Sequence, residues 1–295
     1  MAQTTLHRVH AFTDRNEGGN PATVILDADQ LSSEAKQEIA HKSGTFRTAF
    51  VSQSTVATVK IEFFTPQAQI AHSSHATLAV FSLLREQGKW QSSEATKETI
   101  DGIRKVYFEN DQVFIEQKSP VFHAPLDIWQ AYDEQTLLEG LNLSSRDLLT
   151  PLQPVIGDTG NPLLLIPLKN AAVLKKARIV DETLKHYSEY LDVVGCYLFS
   201  LDVKQQGHDA SARLFAPRFG IKEESATGVA AGVLGGFLYE FINMKKSQFS
   251  IEQGHYLQPP SPSLLQVKIE TEQQEIAHVY VGGYAQLDTS KIINY

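Results

Sequence analysis

A chain of 295 residues is long enough for roughly two domains of about 150 residues, each burying its own core. Hydrophobic residues at 42% and charged residues at 20% are ordinary for a globular protein in water. The net charge of −8 speaks against a nucleic-acid partner, which asks for a basic face, and the basic runs are no longer than the pairs Lys175-Lys176 and Lys245-Lys246. One cysteine, Cys196 in VVGCYLF, excludes an internal disulfide and a multi-thiolate metal site; its apolar strand marks it as an inert core residue. The opening MAQTTLHRVHAF has no apolar signal core, and no segment reaches the roughly 18 apolar residues of a membrane span. The expected location is therefore the cytoplasm, with neither membrane nor nucleic acid as partner.

Strands and helices alternate along the chain. VHAFT and ATVIL read as strands, separated by the loop DRNEGGNP. LSSEAKQEIAHKSG reads as a helix capped by Ser32 or Ser33 and ended by Gly44. TAFVSQ, VKIEFFT, RKVYFEN and QVFIEQK alternate apolar and polar residues, as half-buried strands do. Between them, SHATLAVFSLLREQG reads as a helix closed by Gly88. SPVFHAPLDIW, with two prolines, reads as the crossing between two halves. The second half offers the strands PLLLIPL, CYLFSLD and ARLFAP, the helix SATGVAAGVLGGFLYEFI, and the strands FSIEQG, LLQVKIE and AHVYVGGYA. The expectation is an α+β protein of two similar lobes, each a mixed or antiparallel sheet wrapped around one central helix, with a cleft between them. The N-terminal lobe would span 1–120, completed by a strand near 278–295, and the C-terminal lobe 121–277.

Two echoes support a duplicated plan. FTPQAQIAHSSHAT, Phe64 to Thr77, resembles FAPRFGIKEESAT, Phe215 to Thr227, and GNPATVIL at Gly19 resembles GNPLLLIPL at Gly160. The later helix is apolar or small almost all round, which fits burial on every side. Gly228, Gly232, Gly235 and Gly236 each cost about 1 kcal/mol against Ala in a helix interior, a loss that makes sense where sheet backbone must come close. Two equivalent helix starts would each present unpaired N–H groups and a partial positive charge, suited to a carboxylate or an enolate-like anion. His72, Ser73, Ser74 and His75 stand at the first start, and Glu223, Glu224, Ser225 and Thr227 at the second. Acid–base groups so placed suit cofactor-free isomerisation. His72 and His75 lack a third ligand at metal spacing, so no metal is expected. Glu223 alone reads as part of a solvated turn, and Asn20 and Asn161, each before a proline, read first as turn formers.

Four segments in order resemble the PhzF-like (phenazine biosynthesis) family, which shares the diaminopimelate epimerase fold. They are HAFTDRNEGGNPATVIL, FFTPQAQIAHSSHATLA, RLFAPRFGIKEESATGVAAG and IEQGHYLQPPS, and together they run over essentially the whole chain. The resemblance implies a cofactor-independent isomerase that moves a proton on a small carboxylate; a homodimer is carried by the resemblance alone. The family's best-known member acts on a dihydro-hydroxyanthranilate. Its catalytic histidine matches His75, and its aspartate before Thr-Gly matches Glu224. Its catalytic glutamate falls at Arg47, in Phe46-Arg47-Thr48-Ala49-Phe50. The glycine before the histidine is Ser74, the serine after Thr-Gly is Val229, and Pro259 replaces the arginine of the last motif.

A guanidinium keeps its proton in proteins, so Arg47 is not a general base. The leading assignment makes His75 and Glu224 the acid–base pair and Arg47 a clamp for the substrate's carboxylate. Ser73, Ser74, Asn20, Thr227, Gly228 and Val229 are the candidate substrate-binding residues. Two alternatives stay open: a cleft that binds a small anion without chemistry, and an interaction protein on the same fold. No cofactor is expected.

Overall fold

The computed structural model describes residues 3–180, 182–242 and 246–295, so Lys245 of the second basic pair lies outside them. The fold is α+β and dominated by strands. The chain divides into two compact units, one running to Glu116 and including Gly282–Tyr295, the other formed by Gln117–Val281.

In the first unit, strand Gln3–Thr13 pairs antiparallel with Asn20–Ile25, which runs parallel to Thr48–Ser52. That strand pairs antiparallel with Val59–Phe64, which in turn contacts Gln69–Ile70 antiparallel and Glu94–Thr99 parallel. Gly102–Glu109 and Gln112–Gln117 follow as antiparallel neighbours. From Tyr284 onward the last strand, Glu275–Asn294, pairs antiparallel with Gln3–Thr13. Glu94–Thr99 shows why such sequences become strands: Ala95, Lys97 and Thr99 point inward and are buried, while Glu94, Thr96 and Glu98 are not.

Helix Ser33–Lys42 is capped by Ser32, whose hydroxyl accepts from Ala35 N at 3.2 Å, and the turn after it places Gly44 at φ +76°. The longer helix Ser74–Glu86 is buried at every position except Ser82, Arg85 and Glu86. It lies against Gln3–Thr13, Asn20–Ile25 and Thr48–Ser52, and ends beside Gly88 at φ +69°.

The second unit repeats this pairing order. Val155–Asp158 pairs antiparallel with Leu163–Pro167, which runs parallel to Cys196–Ser200. Cys196–Ser200 pairs antiparallel with Ala210–Ala216, which contacts Ile221–Glu224 antiparallel and Gln248–Gln253 parallel. Ser263–Glu272 is the antiparallel neighbour of Gln248–Gln253. The echo of GNPATVIL in GNPLLLIPL is thus an echo of place, because each segment supplies the strand that opens a parallel pair.

Helix Gly228–Glu240 lies against Ser263–Glu272, Val155–Asp158, Leu163–Pro167 and Gln248–Gln253. Its glycines do make room, but for side chains rather than for sheet backbone. A Cβ at Gly232 would collide with Gln117 Oε1, at Gly235 it would lie 2.6 Å from Val267 Cγ1, and at Gly236 2.6 Å from Pro120 Cγ.

The stretch 119–129 is no bare crossing. Val121–His123 is a strand paired with Val155–Asp158, and Pro125 starts a short helix, Pro125–Ile128, at the first-turn position where its missing N–H costs nothing. The second unit also holds the helices Glu134–Gly140, Ala171–Lys176 and Thr183–Tyr190. Leu137, Leu138, Leu174, Leu184 and Tyr187 from these helices join Cys196 in one apolar cluster. Cys196 is buried there, and burial pushes its thiol pKa up, consistent with an inert core residue. Asn20 is not a turn residue: it begins strand Asn20–Ile25 and is buried, the turn being made by Gly18 and Gly19 at φ +64° and +81°. No helix among the described residues is long and apolar enough to cross a membrane.

Candidate active site

In the first unit, the chain reaches Ser73 in an extended conformation and then turns into helix. The Ser73 hydroxyl caps the helix, accepting from Ala76 N at 3.4 Å, and its carbonyl accepts from Thr77 N at 3.0 Å and Thr77 Oγ1 at 2.7 Å. Ser74 and His75, the first helical residues, are each 6% exposed. His75 Nε2 is buried with no hydrogen-bond partner among the described residues. Leaving such an atom unpaired costs about 1–3 kcal/mol, and native proteins seldom tolerate it without a reason. Burial first, and the positive charge of Arg47 second, lower the His75 pKa to about 3. The imidazole is therefore neutral at physiological pH, with a lone pair available on one ring nitrogen.

Arg47 is half-buried just before strand Thr48–Ser52. Its guanidinium lies 4.3 Å from the Phe46 ring centroid and donates from NH1 to the Phe46 carbonyl at 3.2 Å. Arg47, Ser73, Ser74 and His75 thus lie in one unit, with the guanidinium close enough to act on the imidazole.

The second helix start is built differently. Thr227 precedes Gly228–Glu240 but does not cap it; its hydroxyl donates instead to Glu224 Oε2 at 2.7 Å. Gln253, fully buried, braces this turn. Its Nε2 donates to the Glu224 carbonyl at 2.8 Å and to Thr227 Oγ1 at 3.2 Å, while its Oε1 accepts from Thr227 N at 3.2 Å and from Tyr197 OH at 3.0 Å. Gly254 follows at φ +79°, where a Cβ would lie 2.8 Å from the Ser225 carbonyl. The Gly228 carbonyl accepts from Gln117 Nε2 at 3.0 Å, and Val229 is half-buried beside it. Glu224, Thr227, Gly228 and Val229 therefore sit together in the second unit.

Glu223 is not part of a solvated turn. It holds buried Arg213 in a two-pronged pair, at 2.9 Å from Nε and 2.7 Å from NH2. Arg213 NH1 also donates to the carbonyls of Leu174 and Ala177 at 2.9 and 2.6 Å, closing the end of helix Ala171–Lys176. Glu223 is thus structural while its neighbour Glu224 is presented near a helix start.

Sequence reasoning assigned no role to Gln253 or Lys97 in these surroundings, and placed His72 at the helix start without a partner. Gln253 was visible only as part of a Gln-Gly segment. Lys97 and His72 contact the first helix start, His72 Nε2 lying 3.2 Å from Ser74 Oγ and Lys97 Nζ 3.2 Å from His72 Nδ1. The inward position of Lys97 in its alternating strand was the available signal. The glycines around Gln117 and Gly254 mark close approaches that become legible only once partners are known.

Residues 9–290 match the family model described as phenazine biosynthesis-like protein. An uncharacterized isomerase of Bacillus subtilis, YfhB, is 29% identical over 260 residues, covering 86% of this chain and 87% of the relative. The crystal structure of a Bacillus anthracis phenazine biosynthesis protein of the PhzF family superposes with a TM-score of 0.89 at 26% identity, covering all of both chains. A hydroxyproline epimerase from Agrobacterium vitis, at 13% identity and a TM-score of 0.61 over 99% of this chain and 92% of its own, shares the fold. With a family model spanning almost its entire length, this chain belongs to the phenazine biosynthesis-like, or PhzF, family, a family with isomerase relatives.

Proposed function

We propose that the chain is a cofactor-independent isomerase that moves a proton on a small carboxylate substrate, with His75 and Glu224 as the acid–base groups. The single observation that carries this reading is the unpartnered, buried Nε2 of His75 at the start of a helix, in a ring kept neutral by burial and by Arg47. Family membership supports the reaction class.

In this reading the substrate's carboxylate is held by Arg47 and by N–H groups of the first helical turn. Its negative charge offsets the field of Arg47, the lesser of the two causes that lower the His75 pKa, and so favours proton uptake by the ring. Nε2 takes a proton from one substrate carbon and becomes an imidazolium. The proton taken from the first carbon is matched by one that the Glu224 carboxyl gives to a second carbon, and exchange with solvent then restores both groups, so substrate and product differ only in where one hydrogen sits. The Thr227 hydroxyl, donating to Glu224 Oε2, sets the orientation of that carboxylate. Ser73, Ser74, Asn20, Gly228 and Val229 complete the proposed binding set. The lobes wrapped on central helices, the cytoplasmic location and the homodimer belong to the same proposal.

Arg47 at the position of the family's usual glutamate favours a second reading, in which the protein binds a small anion and performs no chemistry. Heavy water separates the two. Incubated with a dihydro-hydroxyanthranilate, the natural chain is expected to incorporate deuterium at carbon, and His75→Gln to lose about 100- to 10,000-fold of that rate. Binding of the same compound without exchange by the natural chain would overturn the isomerase reading and leave the anion binder.

A further inference from the structure

Lys97 is fully buried in strand Glu94–Thr99, and none of the described carboxylates forms an ion pair with it. A buried amine without a carboxylate is costly, so its contacts carry information. Nζ donates to Thr77 Oγ1 at 2.8 Å, lies 3.2 Å from His72 Nδ1, and sits 5.4 Å from the Phe63 ring centroid. His72 in turn places Nε2 3.2 Å from Ser74 Oγ, and burial, followed by the charges of Lys97 and Arg104, keeps its imidazole neutral.

The direction of every proton in this string follows from which groups can only give. An ammonium donates and accepts nothing. Thr77 Oγ1 accepts from Lys97 and passes its own proton to the Ser73 carbonyl at 2.7 Å. His72 Nδ1, facing an ammonium, must be the bare nitrogen, so the ring proton of the neutral imidazole stands on Nε2 and is given to Ser74 Oγ. That leaves the Ser74 hydroxyl proton with no acceptor in the string, one residue before the unpartnered Nε2 of His75. Two adjacent buried residues thus each hold a polar function without a partner, the Ser74 hydroxyl proton and His75 Nε2.

We propose that Lys97 and His72 are positioning residues that fix the Ser74 hydroxyl as a hydrogen-bond donor toward an oxygen of the bound carboxylate or of its enolate-like form. The assignment of that oxygen rests on the isomerase-site reading above; the direction of the string does not. Burial, and then the charge of Arg104, lower the Lys97 pKa to about 7, with Asp101 acting the other way, so the ammonium form needed here predominates at pH 6.

Nitrogen-15 NMR of histidine-labelled protein at pH 6 reads the string without any substrate. We expect the natural chain to show His72 neutral, protonated on Nε2 and bare on Nδ1. Lys97→Met should release that preference and bring in the Nδ1–H tautomer, whereas Thr77→Val, which leaves the Lys97–His72 contact in place, should retain it. A natural His72 carrying its proton on Nδ1, or a tautomer unchanged in Lys97→Met, would overturn the proposal; the first result needs no variant to fold. With benzoate as the probe, Ser74→Ala is expected to bind about tenfold more weakly, a charge-assisted hydrogen bond lost, and Ser74→Thr to recover most of it. Equal benzoate affinity in Ser74→Ala would overturn the donor role. A correct tautomer in a chain that exchanges no substrate hydrogen would sustain the string and sink only the isomerase reading.

Discussion

The two long helices begin in sequences that echo one another, yet their first turns are bonded in opposite ways. At Ser74–Glu86 the preceding serine caps the helix, and His75 Nε2, two residues on, is buried without a partner among the described residues. At Gly228–Glu240 the preceding threonine turns its hydroxyl to Glu224, and Gln253 ties Glu224, Thr227 and Tyr197 into one network. A spent start holds one carboxylate in one orientation. An unspent start can take on a ligand, at the price of some stability. In the proposed reaction the first start supplies the base and the second the carboxyl.

The largest way to break the comparison is at His75. His75→Gln keeps a polar side chain of similar reach but no titratable nitrogen, and we expect the heavy-water exchange rate to fall by about 100- to 10,000-fold. The corresponding loss for Glu224→Gln, measured in the same assay, should be of the same order if that carboxyl carries protons, and absent if it serves only as structure.

Next come substitutions that test the tightness of the second helix. In a solvent-facing helix, Gly→Ala stabilises by about 1 kcal/mol. At Gly235 the new methyl would meet Val267 at 2.6 Å, so we expect Gly235→Ala to destabilise by about 1–3 kcal/mol in urea unfolding. A gain in stability would show that the core yields there. Gln253→Leu removes four hydrogen bonds to Glu224, Thr227 and Tyr197 and strands a tyrosine hydroxyl; about 1–3 kcal/mol should be lost, with the exchange rate falling further than stability alone explains.

How much of this could be read from the residues? Most of the element order of the first unit could, because its helices carry their own punctuation in Ser32, Gly44 and Gly88. Strand Glu94–Thr99 could not, since two of its inward positions, Lys97 and Thr99, are polar. Short helices of the second unit could not: Glu134–Gly140 and Ala171–Lys176 are too brief to show a helical period, and their leucines declare themselves only against the strand of Cys196. His75 was legible from its motif, but the feature on which its proposed role rests, an unpaired nitrogen beside a charge, depends on residues distant in sequence such as Arg47. Glu223 and Glu224 look alike in sequence. Arg213, ten residues earlier, separates them by claiming one for structure.

The remaining expected effects are in the pH dependence of stability. The His75 pKa is lowered in the folded chain, so between about 6.5 and about 3 the unfolded chain binds the extra proton, and stability falls as pH falls through that window. His75→Gln removes the term, so its unfolding free energy should lose less on acidification, by up to about 1.4 kcal/mol per pH unit. For Lys97 the window is higher. Its folded pKa of about 7 lies below the ordinary 10.5, so the natural chain should gain stability relative to Lys97→Met as pH rises from about 7 toward 10. Paired thermal melts at three pH values read both.

The most direct test of the unspent helix start is an NMR titration of His75 itself, alone and with benzoate bound. We predict an imidazole that stays neutral down to about pH 3 in the free protein and takes up a proton at distinctly higher pH once a carboxylate sits beside Arg47. A His75 that titrates near the ordinary value of about 6.5, unmoved by benzoate, would contradict both the burial of its free nitrogen and the coupling to Arg47 on which the isomerase reading depends.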